Sequence, residues 1–181
     1  MKHRRVLVLA ALCLGLAPRA PQPPAWTPPY LTVVSANIEE ESIEPRRPAA
    51  DRSVTLTIVV AARPTCTRDG AALSYEFLID ADRSLQTGAL TQAFGELGID
   101  ATVAIRCDGS TRRLQSTRGQ VTVQPVQGSP TAYQIQLTTR VGALPSLNFY
   151  WIVMAREGRR FGRLPEQGRS GAWRIAEQWI S

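Results

Sequence analysis

The segment FLIDADRSLQTG, which runs from Phe77 to Gly88, places two carboxylates where an apolar stretch ends. Asp80 and Asp82 stand at positions i and i+2, and Asp100 follows at the start of the next apolar stretch. Carboxylates on irregular backbone are ligands that Ca²⁺ prefers, and the ion takes roughly six to eight oxygens. The pattern therefore predicts a calcium site made by Asp80, Asp82 and Asp100, or aspartates that form Asx-type turns with nearby backbone amides.

The side chains that most other catalytic mechanisms need are absent from this sequence. The one histidine is His3, close to the N-terminus, so Ser-His-Asp catalysis, Cys-His catalysis and histidine-containing zinc sites are not expected. No glycine-rich phosphate loop joins a strand to a helix. The enzymatic alternative is a small hydrolase or lyase that uses the same three aspartates as a carboxylate group. We expect a non-enzymatic protein, with calcium as the one cofactor that the pattern indicates.

The N-terminal residues 1–20 have the organisation of a signal peptide. A basic start that contains Arg4 and Arg5 precedes eleven apolar residues, Val6 to Leu16. This stretch is shorter than the roughly 20 residues of a membrane-spanning helix and fits the apolar core of a secretory signal. The sequence predicts export to the periplasm or the extracellular space, without a membrane span, and leaves the cleavage site open.

Removal of the signal peptide changes the charge of the chain. The formal net charge is +6, and four basic residues, Lys2, Arg4, Arg5 and Arg19, lie within residues 1–20. The remaining chain therefore carries a net charge of +2, which does not indicate a nucleic-acid partner. Arginines crowd the C-terminal part as a solvated basic face. In a structural envelope component, which is a further alternative, that face would contact a partner.

Two cysteines, Cys66 and Cys107, remain once Cys13 is removed with the signal peptide. An even number of cysteines in an exported chain favours a disulfide. The alternative is two separately buried thiols.

The secondary-structure elements that would position these residues are predicted to be β-strands, because their apolar side chains recur with a period of two residues. Residues 21–29 are rich in proline and predict an extended linker, and residues 30–181 predict one β-sandwich domain. Residues with a period of two predict strands at Leu31 to Ile38, Val54 to Ala61, Leu73 to Asp80 and Ile99 to Cys107. Leu147 to Ala155 is a further strand candidate. The fold class is all-β, a single antiparallel β-sandwich of jelly-roll or immunoglobulin-like form with seven to nine strands; a barrel is the second choice.

Two short motifs carry a resemblance to a known superfamily. The Asp-x-Asp segment closes on Thr87 and Gly88, and the following strand opens with Gly98 and Asp100. From Tyr30 to about Ile175 the order of strands and motifs is similar to that of family 9 carbohydrate-binding modules and DOMON-like domains of exported bacterial proteins. The resemblance implies a β-sandwich that binds a sugar, haem or calcium.

The residues present bear directly on haem and on sugar binding. Haem-binding members resemble one another in using His or Met axial ligands, and the internal chain offers only Met154, so no haem is expected. Sugar-binding members resemble one another in presenting exposed aromatic rings. Trp151 shares strand parity with core residues, whereas Tyr150 lies on the opposite face, so Tyr150 and Trp173 are the predicted ligand-binding residues. We expect an exported binding domain whose ligand is a glycan or another protein; its oligomeric state is not predicted.

Overall fold

The computed structural model describes residues 27–40, 48–66, 72–89, 97–164 and 171–174. The predicted signal peptide lies outside the described residues, as does the linker up to residue 26. Short 3-10 helices cover Pro29–Leu31, Ala49–Asp51 and Val141–Ala143. Within the described part of the chain, no helix combines the length and the apolar character that crossing a bilayer requires.

The regular structure of the described residues consists of ten β-strands. In chain order they are β1 Val33–Glu40, β2 Ser53–Val60, β3 Ser74–Asp80, β4 Ala101–Asp108, β5 Arg113–Gln115, β6 Gln120–Pro125, β7 Tyr133–Arg140, β8 Asn148–Glu157, β9 Arg160–Leu164 and β10 Gly171–Arg174.

The strands form two antiparallel sheets. The first has the order β1-β2-β7-β6, and the second has the order β10-β8-β3-β4-β5. In the second sheet β9 and β10 share one edge of β8: β9 pairs with its C-terminal half and β10 with its N-terminal half. Ten strands therefore occupy nine positions, four in the first sheet and five in the second. The predicted fold class, an all-β antiparallel sandwich, is confirmed.

The core lies between the two sheets. Strand β2 alternates between half-buried and fully buried residues, as its period of two predicts, and its even-numbered residues face inward. The odd-numbered residues of β3, and those of β8 up to Ala155, join the same core, where the rings of Phe77 and Trp151 pack 5.6 Å apart between centroids. Only 7% of Trp151 is exposed, which confirms its predicted core position. Each such aromatic or branched side chain contributes about 1.5–3 kcal/mol through burial.

Strand β3 is buried on both faces. Its outer side carries Leu78, which forms a second apolar cluster with Leu97 on the chain before β4 and with Ile152 and Met154 on β8. These side chains form a covered apolar patch on the outer face of the second sheet, next to the buried Ser74 and Glu76. Strand β3 ends at Asp80, which is the first residue of the candidate site.

A disulfide joins Cys66 and Cys107. Their Cα atoms are 5.6 Å apart, inside the range of about 4.4–6.8 Å that disulfides adopt. The predicted disulfide is confirmed, and the alternative of two separate thiols is wrong. The bond ties the segment that follows β2 to the C-terminal end of β4.

Candidate functional site

The three predicted aspartates converge at one end of the second sheet. Asp80 is the last residue of β3, Asp82 lies in the turn that follows, and Asp100 precedes β4. Because β3 and β4 are antiparallel neighbours, the end of one strand meets the start of the other. One carboxylate oxygen from each aspartate lies within 4.8 Å of the other two. The structure therefore brings together the residues that the sequence singled out.

Asp80 and Asp82 each accept hydrogen bonds from the loop that follows them. The amide of Ser84 donates to Oδ1 of Asp80 at 3.1 Å and to Oδ1 of Asp82 at 3.0 Å. The hydroxyl of Thr87 donates to Asp82, with its oxygen 2.7 Å from Oδ2. These contacts are the ones that the Asx-turn interpretation predicts, and they fix the path of the chain after β3.

Asp100 closes the site from the β4 side. Its Oδ2 accepts hydrogen bonds from the amides of Ala81 at 2.8 Å and Asp82 at 3.3 Å. The far end of the loop returns to the residue before Asp100, where the amide of Ala89 donates to the carbonyl of Ile99 at 2.8 Å. We call residues 81–89 the aspartate loop. It is held at both ends by the segment that leads into β4.

The carboxylates differ in how readily they ionise. Burial raises the pKa of Asp80, and the amides of Ser84 and Arg83 offset this only in part; the nearby Asp100 and Asp82 charges raise it further. The hydroxyl of Thr87 lowers the pKa of Asp82. Negative charge is thus concentrated where one member of the group, Asp80, is only 1% exposed. A bound cation would offset this repulsion.

An aromatic ring and a guanidinium lie beside the carboxylates. Tyr150 on β8 pairs directly with Asp80 on β3, and 36% of Tyr150 is exposed. The guanidinium carbon of Arg83 is 6.0 Å from the centroid of the Tyr150 ring, which is cation–π range. The ring, the guanidinium and the exposed carboxylates of Asp82 and Asp100 thus lie close together, with the buried Asp80 beside them.

Arg83 is the site residue that sequence reasoning missed. Its backbone is in the left-handed region, with φ +60°, which costs a residue with a Cβ about 1–3 kcal/mol. This conformation is usual for glycine or asparagine, so an arginine there gives no sequence pattern to find. The Ser84 amide donates hydrogen bonds to Asp80 and Asp82, and these bonds hold the Arg83 backbone in this conformation.

The other predicted ligand-binding residue, Trp173, is not the strand partner of Tyr150. On β10 its backbone pairs with Phe149, one residue before Tyr150. Its side chain is outside the described part of the structure, so its role in binding stays a prediction.

No family model, curated protein or solved structure matches this chain. The resemblance to family 9 carbohydrate-binding modules and DOMON-like domains therefore stays a prediction. What the fold and the site define is a class: an all-β, disulfide-bonded sandwich that carries a carboxylate cluster with an adjoining aromatic ring at the end of one sheet.

Proposed function

We propose that the chain is an exported, non-enzymatic β-sandwich domain that binds a glycan at the aspartate loop. The observation that supports this most directly is the register of the 36%-exposed Tyr150 with Asp80, with the Arg83 guanidinium nearby as a hydrogen-bond donor. An aromatic ring offers a face to the C–H groups of a sugar, and nearby charged groups form hydrogen bonds with its hydroxyls. A flat surface without an aromatic ring would favour a protein ligand instead.

The hydrogen bonds of the carboxylates favour binding over catalysis. Asp82 and Asp100 accept bonds from loop amides or from the Thr87 hydroxyl, and both act as supports of the loop. A glycoside hydrolase needs two carboxyl groups about 5–10 Å apart with a sugar bond between them. In this cluster one oxygen of each carboxylate lies within 4.8 Å of the other two, a spacing at which the three groups can share one cation.

As part of the same proposal, a calcium ion binds Asp80, Asp82 and Asp100 and stiffens the aspartate loop. Loop carbonyls or water would complete its coordination. The ion would neutralise the clustered charge and leave the Tyr150 ring exposed for the sugar. Its role would be to position the loop.

Calcium is expected to stabilise the wild-type domain and to have little effect on Asp80→Asn. At about 100 times its dissociation constant, the ion adds about 2.7 kcal/mol to the free energy of unfolding. Differential scanning fluorimetry with CaCl₂ and with MgCl₂ measures this effect. Equal shifts of wild type and Asp80→Asn would refute the site.

Without calcium, the difference in unfolding temperature between Asp80→Asn and wild type should depend on pH. The pKa of Asp80 is raised in the folded state, so the stability that its protonated form contributes is present at low pH and lost as the pH rises through that pKa. Asn keeps the acceptor oxygen and carries no charge. Asp80→Asn should therefore unfold at a higher temperature than wild type at pH 7, and at the same temperature at about pH 3.

Glycan binding is expected to depend on Tyr150 and on Arg83. Tyr150→Ala should weaken binding about tenfold, because it removes the aromatic face. Arg83→Gly should also weaken binding while the unfolding temperature stays equal or rises, because glycine adopts a positive φ without strain. Glycan-array screening followed by titration of the best glycan measures both. Phe161→Ala, at a ring that is 50% exposed on β9, is the matched control and should bind as wild type does. An array without any bound glycan would contradict the proposal.

A further inference from the structure

A second pocket lies at the opposite end of β4 from the aspartate loop. Its volume is about 300 Å³. Three segments line it: the chain after β2, the β4–β5 turn with β5, and β6. Its lining residues are Arg63, Pro64, Cys66, Arg112, Arg113, Leu114, Val121 and Val123.

The disulfide holds one wall of this pocket in place. Arg63 and Pro64 lie just before Cys66, and Cys66 is bonded to Cys107 near the end of β4. The wall is therefore covalently tied to the strand that leads into the opposite wall. Together with the sheet, this bond keeps Arg63 close to the β4–β5 hairpin.

The opposite wall is fixed by Asp108. Its carboxylate accepts hydrogen bonds from the Ser110 amide at 2.9 Å, the Thr111 hydroxyl at 2.8 Å and the Gln115 side-chain amide at 2.7 Å. The amide of Arg112 donates to the Asp108 carbonyl at 2.8 Å, and Arg112 has φ +54°, the left-handed region. An arginine in this conformation is strained, and the surrounding turn is built so as to keep it there.

The pocket combines positive charge with an apolar floor. Arg63, Arg112 and Arg113 are all exposed, and among the described residues no carboxylate lines the pocket. Guanidinium groups pair in a bidentate manner with carboxylate, sulfate or phosphate, and a cleft of one charge concentrates the opposite ion. Leu114, Val121 and the 40%-exposed Val123 leave apolar surface beside these charges. A free inorganic anion would leave that surface uncovered.

We propose that this pocket binds an amphiphilic oxyanion, namely a carboxylate, sulfate or phosphate group joined to an apolar chain. The three arginines hold the anionic group, and the apolar floor holds the adjoining hydrocarbon. The site shares no residue with the aspartate loop, so it stands whether or not that loop binds a glycan. The ligand is either the headgroup region of a lipid or a free amphiphile of the same chemistry.

Isothermal titration of the full exported chain with three probes tests the pocket. Monomeric octyl sulfate carries both features, inorganic sulfate only the charge, and octyl glucoside only the chain. Octyl sulfate is expected to bind at least about tenfold more tightly than either of the others. Arg63→Gln and Arg113→Gln should each lower that affinity about tenfold. Arg140→Gln, at an exposed arginine on β7 outside the pocket, is the matched control and should leave it unchanged.

Two outcomes would overturn the proposal. One is equal binding of octyl sulfate and octyl glucoside, which would mean that the arginines do not select the anion. The other is an equal loss in Arg140→Gln and Arg113→Gln, which would mean that net charge alone acts. Flotation with vesicles of phosphatidylglycerol and of phosphatidylcholine then separates the sources. Binding to the anionic vesicles alone assigns the ligand to a lipid headgroup, and octyl sulfate binding without vesicle binding assigns it to a free amphiphile.

Discussion

Replacing Cys66 and Cys107 together with alanine is expected to lower the free energy of unfolding by about 4 kcal/mol. The bond closes a loop across 41 positions, so its loss returns to the unfolded chain the conformational freedom of that loop. Domains of this size are stable by about 5–15 kcal/mol, and the double variant would therefore lose a large share of its stability. Guanidinium denaturation followed by tryptophan fluorescence measures the difference.

Two measurements test whether this loss of stability comes from the disulfide. Wild type that has been fully reduced and blocked at both thiols should unfold at nearly the same denaturant concentration as the double alanine variant. Thiol labelling of oxidised wild type under denaturing conditions should find neither Cys66 nor Cys107 reactive. A double variant as stable as wild type would show that native strain or residual structure cancels the loop-closure term.

The period of two in the sequence was enough to predict the sandwich, because a half-buried sheet imposes it. Val54, Leu56, Ile58 and Val60 alternate on β2 with the half-buried Thr55, Thr57 and Val59, and all four are buried. The pattern could not show that β3 is buried on both faces. Its outer residue Leu78 is covered by side chains such as Leu97 and Ile152, which come from later in the chain. Such burial depends on tertiary packing, which a local period does not report.

The candidate site, too, could be predicted from the sequence only in part. Asp80, Asp82 and Asp100 were predictable together, because each stands where a strand begins or ends and the two strands are neighbours. Arg83 was not predictable, since its left-handed backbone is fixed by hydrogen bonds that only the folded loop forms. The pocket with three arginines was also hidden from the sequence. Arg63 lies about 50 positions from the other two, and only the disulfide and the sheet bring them together.

Gly98→Ala is expected to cost about 3 kcal/mol and to displace the aspartate loop. A Cβ at position 98 would overlap the backbone carbonyl oxygens of Ser84 and Thr87. Backbone atoms of a loop that is held at both ends cannot yield as a flexible side chain does, so the whole segment must move. The shift would separate Asp82 from Asp100 and would break the pairing of Ala89 with Ile99. The unfolding temperature and the calcium-dependent stabilisation should both be lower in this variant than in wild type.

The matched control for that experiment is Gly109→Ala in the β4–β5 turn. A Cβ at position 109 meets no atom within 4 Å, so its substitution should change the stability by no more than about 0.5 kcal/mol. The comparison isolates close packing from the general effect of replacing a glycine. If Gly98→Ala unfolds with wild-type stability and still responds to calcium, the loop does not depend on the close approach at Gly98. The aspartates would then be positioned by their own hydrogen bonds, and the missing side chain at Gly98 would have no structural role in the site.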